Sequence, residues 1–189
     1  MYSHEHKFIY VHIPKTGGSS IEHILNPNVS LDSDPRARDF GNTKFKTKHW
    51  TIKEYKNSIH PDNFKKYFKF AFVRNPWDLH ASLYSWLKAL GNDITFKEHI
   101  HNQFNSNTMG FDHFICDEDG EELVDFIGKF ETLQKDFDII CDKIGFPKKS
   151  LPHINKVKRP HYSEYYDNDT CNIVAEKYAK EIKKFNYTF

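Results

Sequence analysis

Residues Lys15-Thr16-Gly17-Gly18-Ser19-Ser20 bring together the groups that hold a phosphate or a sulfate. Two glycines let a backbone approach an anion closely and take dihedrals closed to other residues. The amides from about Thr16 to Ser20, at the start of a helix, would present N–H groups and the positive end of the helix dipole. Ser19 and Ser20 add hydroxyls, and Lys15 adds a mobile ammonium. An ordinary glycine turn explains Gly17-Gly18 alone. It does not explain that turn flanked by Lys, Thr and two Ser directly after an apolar strand. The triphosphate-binding loop G-x-x-x-x-G-K-[ST] places its Lys after the glycines. Here Lys15 precedes them, and no acidic strand end stands out to complete such a site. This order weakens a nucleotide-dependent phosphotransferase, which stays as the alternative enzyme.

A second cluster follows in Val73-Arg74-Asn75-Pro76-Trp77-Asp78, with Ser82 and Tyr84 beyond it. Arg74 offers a fork of donors and Ser82 a hydroxyl, which together suit a phosphate dianion. In this order the two blocks resemble the 5′-phosphosulfate and 3′-phosphate signatures of sulfotransferases that use 3′-phosphoadenosine 5′-phosphosulfate (PAPS). Phe130-Glu131-Thr132-Leu133, Asp136-Phe137, Leu151-Pro152-His153-Ile154-Asn155-Lys156 and Tyr165-Tyr166 extend the likeness to small carbohydrate-type sulfotransferases. Leu79 departs from it, because the family often has Arg after the Asp of the second block. The resemblance implies PAPS as donor, with Lys15, Thr16, Gly17, Gly18, Ser19 and Ser20 on the 5′ side and Arg74 and Ser82 on the 3′-phosphate. Lys156-Val157-Lys158-Arg159-Pro160-His161-Tyr162 resembles the loop that closes over the cofactor, so Lys158 and Arg159 join the cofactor-binding set.

The implied chemistry is in-line transfer of SO₃ to an acceptor hydroxyl, in which positioning and charge stabilisation do most of the catalysis. Lys15 would neutralise the charge growing on the departing 5′-phosphate of 3′,5′-adenosine bisphosphate. A hydroxyl acceptor wants a general base. The family likeness points to His49, at the start of a helix between the two blocks, with Glu22 as runner-up. No metal is expected. The pairs His4/His6, His99/His101 and His113/Cys116 have no companion ligands in the sequence. The acceptor is expected to be a saccharide or a small hydroxylated molecule, bound in an open cleft. A module that binds the nucleotide without turnover is the non-enzyme alternative.

These residues need elements to carry them. Phe8-Ile9-Tyr10-Val11-His12 reads as a strand and Phe70-Ala71-Phe72-Val73 as a short buried one. A helix is predicted from the glycine loop through about Leu25, ended by Asn26-Pro27-Asn28. Thr51-Ile52-Lys53-Glu54 and Thr95-Phe96-Lys97-Glu98 are capping boxes. Asn75 caps and Pro76 opens a helix whose apolar face is Leu79, Leu83, Trp86, Leu87 and Leu90. A strand from Leu123 to Ile127, a helix carrying Leu133, Phe137, Ile140 and Ile144, and a last helix capped by Asp169 and running to about Lys184 complete the set. Residues 28–48 and 147–166 read as loops. The alternation predicts an α/β fold, a P-loop-like parallel sheet with helices on both faces.

The 189 residues suit a single domain spanning 1–189. Lys and Arg total 27 against 26 Asp and Glu, a net charge of +1, so no nucleic-acid partner is expected. Only 38% of residues are hydrophobic, but 17 Phe and 10 Tyr supply enough buried area for a core. No apolar run is long enough for a membrane span. The polar first seven residues do not read as a signal peptide. Cys116, Cys141 and Cys171, odd in number and far apart, read as reduced thiols in a cytoplasmic protein.

Overall fold

Phe8–Val11 and Phe68–Val73 are buried along almost their whole length, as strands covered on both faces must be. The structure, a computed structural model, describes residues 1–25, 49–105, 110–154 and 157–189. The predicted helix stop at Asn26-Pro27-Asn28, the loop over 28–48 and Lys156 lie outside these residues. The described residues group into two units: Met1–Val73 with Phe111–Ile154, and Arg74–Gly110 with Asn155–Phe189.

The first unit is a mostly parallel four-stranded sheet flanked by helices. Its strands, β1 (Tyr2–Ser3), β2 (Phe8–Val11), β3 (Phe68–Val73) and β4 (Phe126–Lys129), lie in the order β1-β2-β3-β4. β2 pairs β3 in parallel with Phe8 opposite Phe68, and β3 pairs β4 in parallel with Phe70 opposite Phe126. β1 runs antiparallel on the edge, with Tyr2 opposite Ile9. Two polar residues are too few to show a strand period, which is why the sequence concealed β1. Phe8, Tyr10, Phe70 and Phe72 form one sheet face and pack against α1 (Gly18–Leu25) through Ile21 and Leu25. The same face takes Phe137, Ile140, Cys141 and Ile144 of α7 (Leu133–Ile144). Ile9, Val11 and Ala71, on alternate positions, are fully buried as well, so the second face is also covered.

α2 (Ile52–Ser58) starts at the predicted Thr51/Glu54 capping box, with the Thr51 amide donating to Glu54 at 2.6 Å. α3 (Pro61–Lys66) and the short α6 (Phe111–Ile115) were not anticipated. β4 begins three residues later than expected. Asp125, just ahead of it, accepts from the Lys69 amide at 2.7 Å and pairs with the Lys69 ammonium at 3.1 Å, which fixes where pairing starts.

The second unit is helical. α4 (Pro76–Ala89) opens on Asn75, whose carboxamide oxygen accepts from the Trp77 amide at 3.0 Å. α5 (Phe96–Asn105) opens on the predicted Thr95/Glu98 box. The last helix is two: α8 (Asn168–Lys177) and α9 (Ala179–Phe185) meet at Tyr178. α8 is capped by Asp167, which accepts from the Thr170 amide at 2.8 Å, while Asp169 pairs with Lys97. The core is Trp77, Phe96, Ile100, Val174 and Tyr178. It encloses two histidines, His80 and His99, with ring centroids 5.7 Å apart. Burial, then the neighbouring His99, lowers the His80 pKa to about 3, and burial lowers that of His99 to about 4.

Candidate active site

The loop between β2 and α1 is shaped by its own backbone. Lys15 sits at φ 66° and Gly17 at φ 84°, both left-handed. A lysine held there carries backbone strain that the surrounding structure must support, a feature concentrated at functional sites. Gly17 is required for its dihedral, and a Cβ there would also push aside Leu133, whose Cδ2 it would meet at 2.7 Å. At Gly18 a Cβ would lie 2.1 Å from Cδ2 and Nε2 of His12. Thr16 is fully buried and its hydroxyl donates to the Ile13 carbonyl at 2.8 Å, bracing the loop from within.

The Ser20 and Ile21 amides turn back onto the Gly17 carbonyl at 3.0 and 3.4 Å, so α1 takes its register from Gly17. The amides at the open end of the helix are therefore those preceding Ser20. Ser20 differs from expectation here: its amide belongs to the helix, and its hydroxyl accepts from the Ile154 amide at 3.4 Å. Lys15 and Ser19 are half-buried, so both border solvent. A loop with two obligatory glycines, a helix start and a lysine fits a 5′-phosphosulfate.

His49 lies two residues before the Thr51 cap, and its Nδ1 is 2.8 Å from the His12 carbonyl. A carbonyl only accepts, so Nδ1 carries the hydrogen and Nε2 of the neutral ring carries the lone pair. Glu22, four residues into α1, does not stand alone. Its Oε1 is 2.9 Å from His12 Nδ1, and the pair is largely shielded from solvent. The His12 and His49 rings meet edge to face at 4.5 Å. The structure thus gathers His49 and Glu22 around His12, which sequence reasoning counted only as a strand residue. Its one available signal was a histidine ending an apolar strand immediately before the glycine loop.

In the second unit Arg74 follows directly on the end of β3. Its Nε and Nη2 each lie 2.8 Å from Asp78 Oδ2. The other Asp78 oxygen takes Arg159 Nη2, so one carboxylate holds two guanidinium groups. Ser82 is one turn beyond Asp78 on the same side of α4, half-buried. Lys158 is exposed. Arg74 and Arg159 share the Asp78 carboxylate, and Ser82 follows one turn along the same helix. Guanidinium groups and a hydroxyl are groups of the kind that hold a phosphate. Asp78, which the sequence motif includes without a role, is the residue that joins the two guanidiniums; the Arg-x-x-x-Asp spacing at a helix start was its signal. Asp136, also in a quoted motif, is structural: it accepts from the Lys129 amide and the Thr132 hydroxyl, each at 2.7 Å.

Among the described residues no group of three or more His, Cys, Asp or Glu is placed to hold a metal, no disulfide joins the cysteines, and no helix is long and apolar enough to cross a membrane.

A sequence model of the sulfotransferase family matches residues 1–188, and the chain belongs to that family. It is 22% identical to carbohydrate sulfotransferase 14 of Danio rerio over 236 aligned positions, 94% of this chain and 57% of that protein. Carbohydrate sulfotransferase 9 of Homo sapiens is 25% identical over 223 positions, 95% of this chain and 47% of that protein. The chain therefore spans about half the length of these two relatives. An uncharacterized protein of Archaeoglobus fulgidus is 28% identical over 116 residues, 60% of this chain and 94% of that one. No solved structure matches the chain significantly.

Proposed function

We propose that the protein transfers the sulfuryl group of PAPS to a hydroxyl, on a carbohydrate or a small hydroxylated molecule, with both units serving one sulfotransferase domain. The observation that carries this reading is the pinned tautomer of His49. A histidine whose Nδ1–H is tied to a carbonyl offers Nε2 as a base, and the carbonyl belongs to His12, three residues before Lys15. The donor supplies the sulfuryl group and leaves as 3′,5′-adenosine bisphosphate. In this reading Lys15 lies against the bridging oxygen and offsets its developing charge. The open amides before Ser20 hold the 5′-phosphate. Arg74, Ser82 and Arg159 hold the 3′-phosphate, with Lys158 near it at the surface. His49 Nε2 accepts the acceptor's proton. The two carbohydrate sulfotransferase relatives support a saccharide acceptor.

Thermal unfolding with 3′,5′-adenosine bisphosphate, beside ATP with Mg²⁺, tests the donor class. Ligand at 100 times its Kd adds about 2.7 kcal/mol of stability, a rise of roughly 5–10 °C. A shift with the bisphosphate alone is expected, followed by transfer of radiolabelled sulfate to one of a panel of p-nitrophenyl glycosides. A shift with ATP alone would return the phosphotransferase. Bisphosphate binding with no transfer to any acceptor would favour the non-catalytic module.

A further inference from the structure

Three contacts converge on His12, two from α1 and one from the segment ahead of α2. Its Nδ1 edge meets Glu22 of α1 at 2.9 Å. Its Nε2 edge lies over the Cα of Gly18, where no Cβ fits. Its carbonyl takes Nδ1–H of His49 at 2.8 Å. A carboxylate accepts, so His12 Nδ1 carries the hydrogen and the ring is held in one tautomer and one plane. We propose that Glu22 is a positioning residue that acts through His12, fixing that ring between the phosphate loop and His49 and supporting the imidazolium that His49 becomes during turnover. The proposal rests on the sulfotransfer reading and reassigns Glu22 from competing base to partner of the base.

The step balances without a further reactant. The acceptor oxygen forms its bond to sulfur while the bond from sulfur to the 5′-phosphate oxygen breaks. That bond's electron pair leaves on the phosphate, beside Lys15. The hydroxyl proton passes to His49 Nε2. His49 then carries a positive charge with its ring 4.5 Å from that of His12. Glu22, with 12% of its side chain exposed, supplies a poorly screened negative charge on the far side of His12. Among the described residues, Tyr10 of β2 also faces this cluster, stacked on the His12 ring at 5.8 Å, with Tyr55 of α2 acting on Tyr10. Burial, then Glu22 and Tyr55, hold the Tyr10 hydroxyl well above its ordinary pKa, so Tyr10 stays neutral. Glu22 thus sets a negative charge directly on His12.

The test uses the full chain labelled with ¹⁵N in its histidines, with His12→Asn and His49→Gln for assignment. Long-range proton–nitrogen spectra report each ring's tautomer and titration midpoint without any acceptor. Both rings are expected as Nδ1–H tautomers at neutral pH. Glu22→Gln, which keeps the shape and removes the charge, is expected to lower the His49 midpoint by roughly one unit. Glu22→Asp is expected to hold the midpoint near the parent value, and it serves as the charged control if Glu22→Gln folds poorly. A His49 ring protonated on Nε2, or a midpoint unmoved by Glu22→Gln, overturns the proposal. Calorimetry with 3′,5′-adenosine bisphosphate on the same samples separates the two failures. If the parent does not bind it, the sulfotransfer reading falls and takes this proposal with it. Unchanged binding in Glu22→Gln with a shifted His49 supports the positioning role.

Discussion

The Lys15–Ser20 loop and the Arg74 cluster are the two regions proposed above to hold anions, and they are built in opposite ways. The loop works through its backbone: left-handed Lys15 and Gly17, a Gly18 with no room for a Cβ, and a helix that opens after them. The Arg74 cluster works through side chains: two guanidiniums already paired to Asp78, on a helix capped by Asn75. A backbone site has its geometry fixed before the ligand arrives and tolerates almost no substitution. A side-chain site owes its grip to charge and fork geometry, so it degrades by degrees.

The largest effects should fall on the loop. Lys15→Ala is expected to lower turnover by about 10²–10³, the usual cost of losing one stabiliser of transition-state charge, with bisphosphate affinity changed much less. Gly18→Ala forces the His12 ring aside and is expected to weaken AMP and 3′,5′-adenosine bisphosphate alike. Arg74→Lys keeps the charge and loses the fork, so about tenfold weaker bisphosphate binding is expected, with AMP affinity unchanged because AMP has no 3′-phosphate. Calorimetry with both nucleotides on both variants reads the contrast. Equal losses on the two ligands in Arg74→Lys would erase the distinction between the sites.

The second unit should also be the more acid-sensitive part of the chain. Folding lowers the pKa of His80 to about 3 and of His99 to about 4, from an ordinary 6.5. Below 6.5 the unfolded chain therefore binds protons that the folded one refuses. The stability of the neutral pair is complete above 6.5 and is lost as pH falls toward 4. Each histidine contributes a slope of up to about 1.4 kcal/mol per pH unit in that window. Urea unfolding at pH 7, 5.5 and 4.5 measures it, and His99→Gln should flatten the curve. The groups facing the pair are aromatic, with the Tyr178 hydroxyl 3.2 Å from His80 Nε2 and the Tyr84 ring 5.8 Å from His99. Burial raises the Tyr178 hydroxyl, so it offers no charge to hold a proton on His80.

The same contrast explains what the sequence revealed. Backbone devices have local signatures: paired glycines, the Thr51/Glu54 and Thr95/Glu98 boxes and the Asn75-Pro76 start were all legible because the interacting groups are neighbours in the chain. The apolar strands β2 and β3 were legible for the same reason. Long-range pairings left no such trace. Asp125 on Lys69 moved the start of β4, Arg159 on Asp78 joined positions 81 apart, and His49 on the His12 carbonyl spanned 37. The place of His12 was not legible because its contacts with Gly18, Glu22 and His49 all lie outside the strand that ends at it.

The smallest effect tests how far the loop's preorganisation extends. Thr51 caps α2 and lies two residues after His49. Thr51→Ala removes the hydroxyl that takes the Glu54 amide at 3.3 Å, and a loss of about 1 kcal/mol is expected in urea unfolding. If the cap also aims His49, kcat should fall by more than that stability loss explains, while bisphosphate affinity stays put. If the Nδ1–H bond to His12 suffices to aim the ring, kcat should be unchanged. That bond ties His49 to the phosphate-loop segment rather than to the helix it precedes, so an unchanged kcat is the expected result. It would place the proposed base, like the phosphate loop, under the control of the backbone between His12 and Gly18.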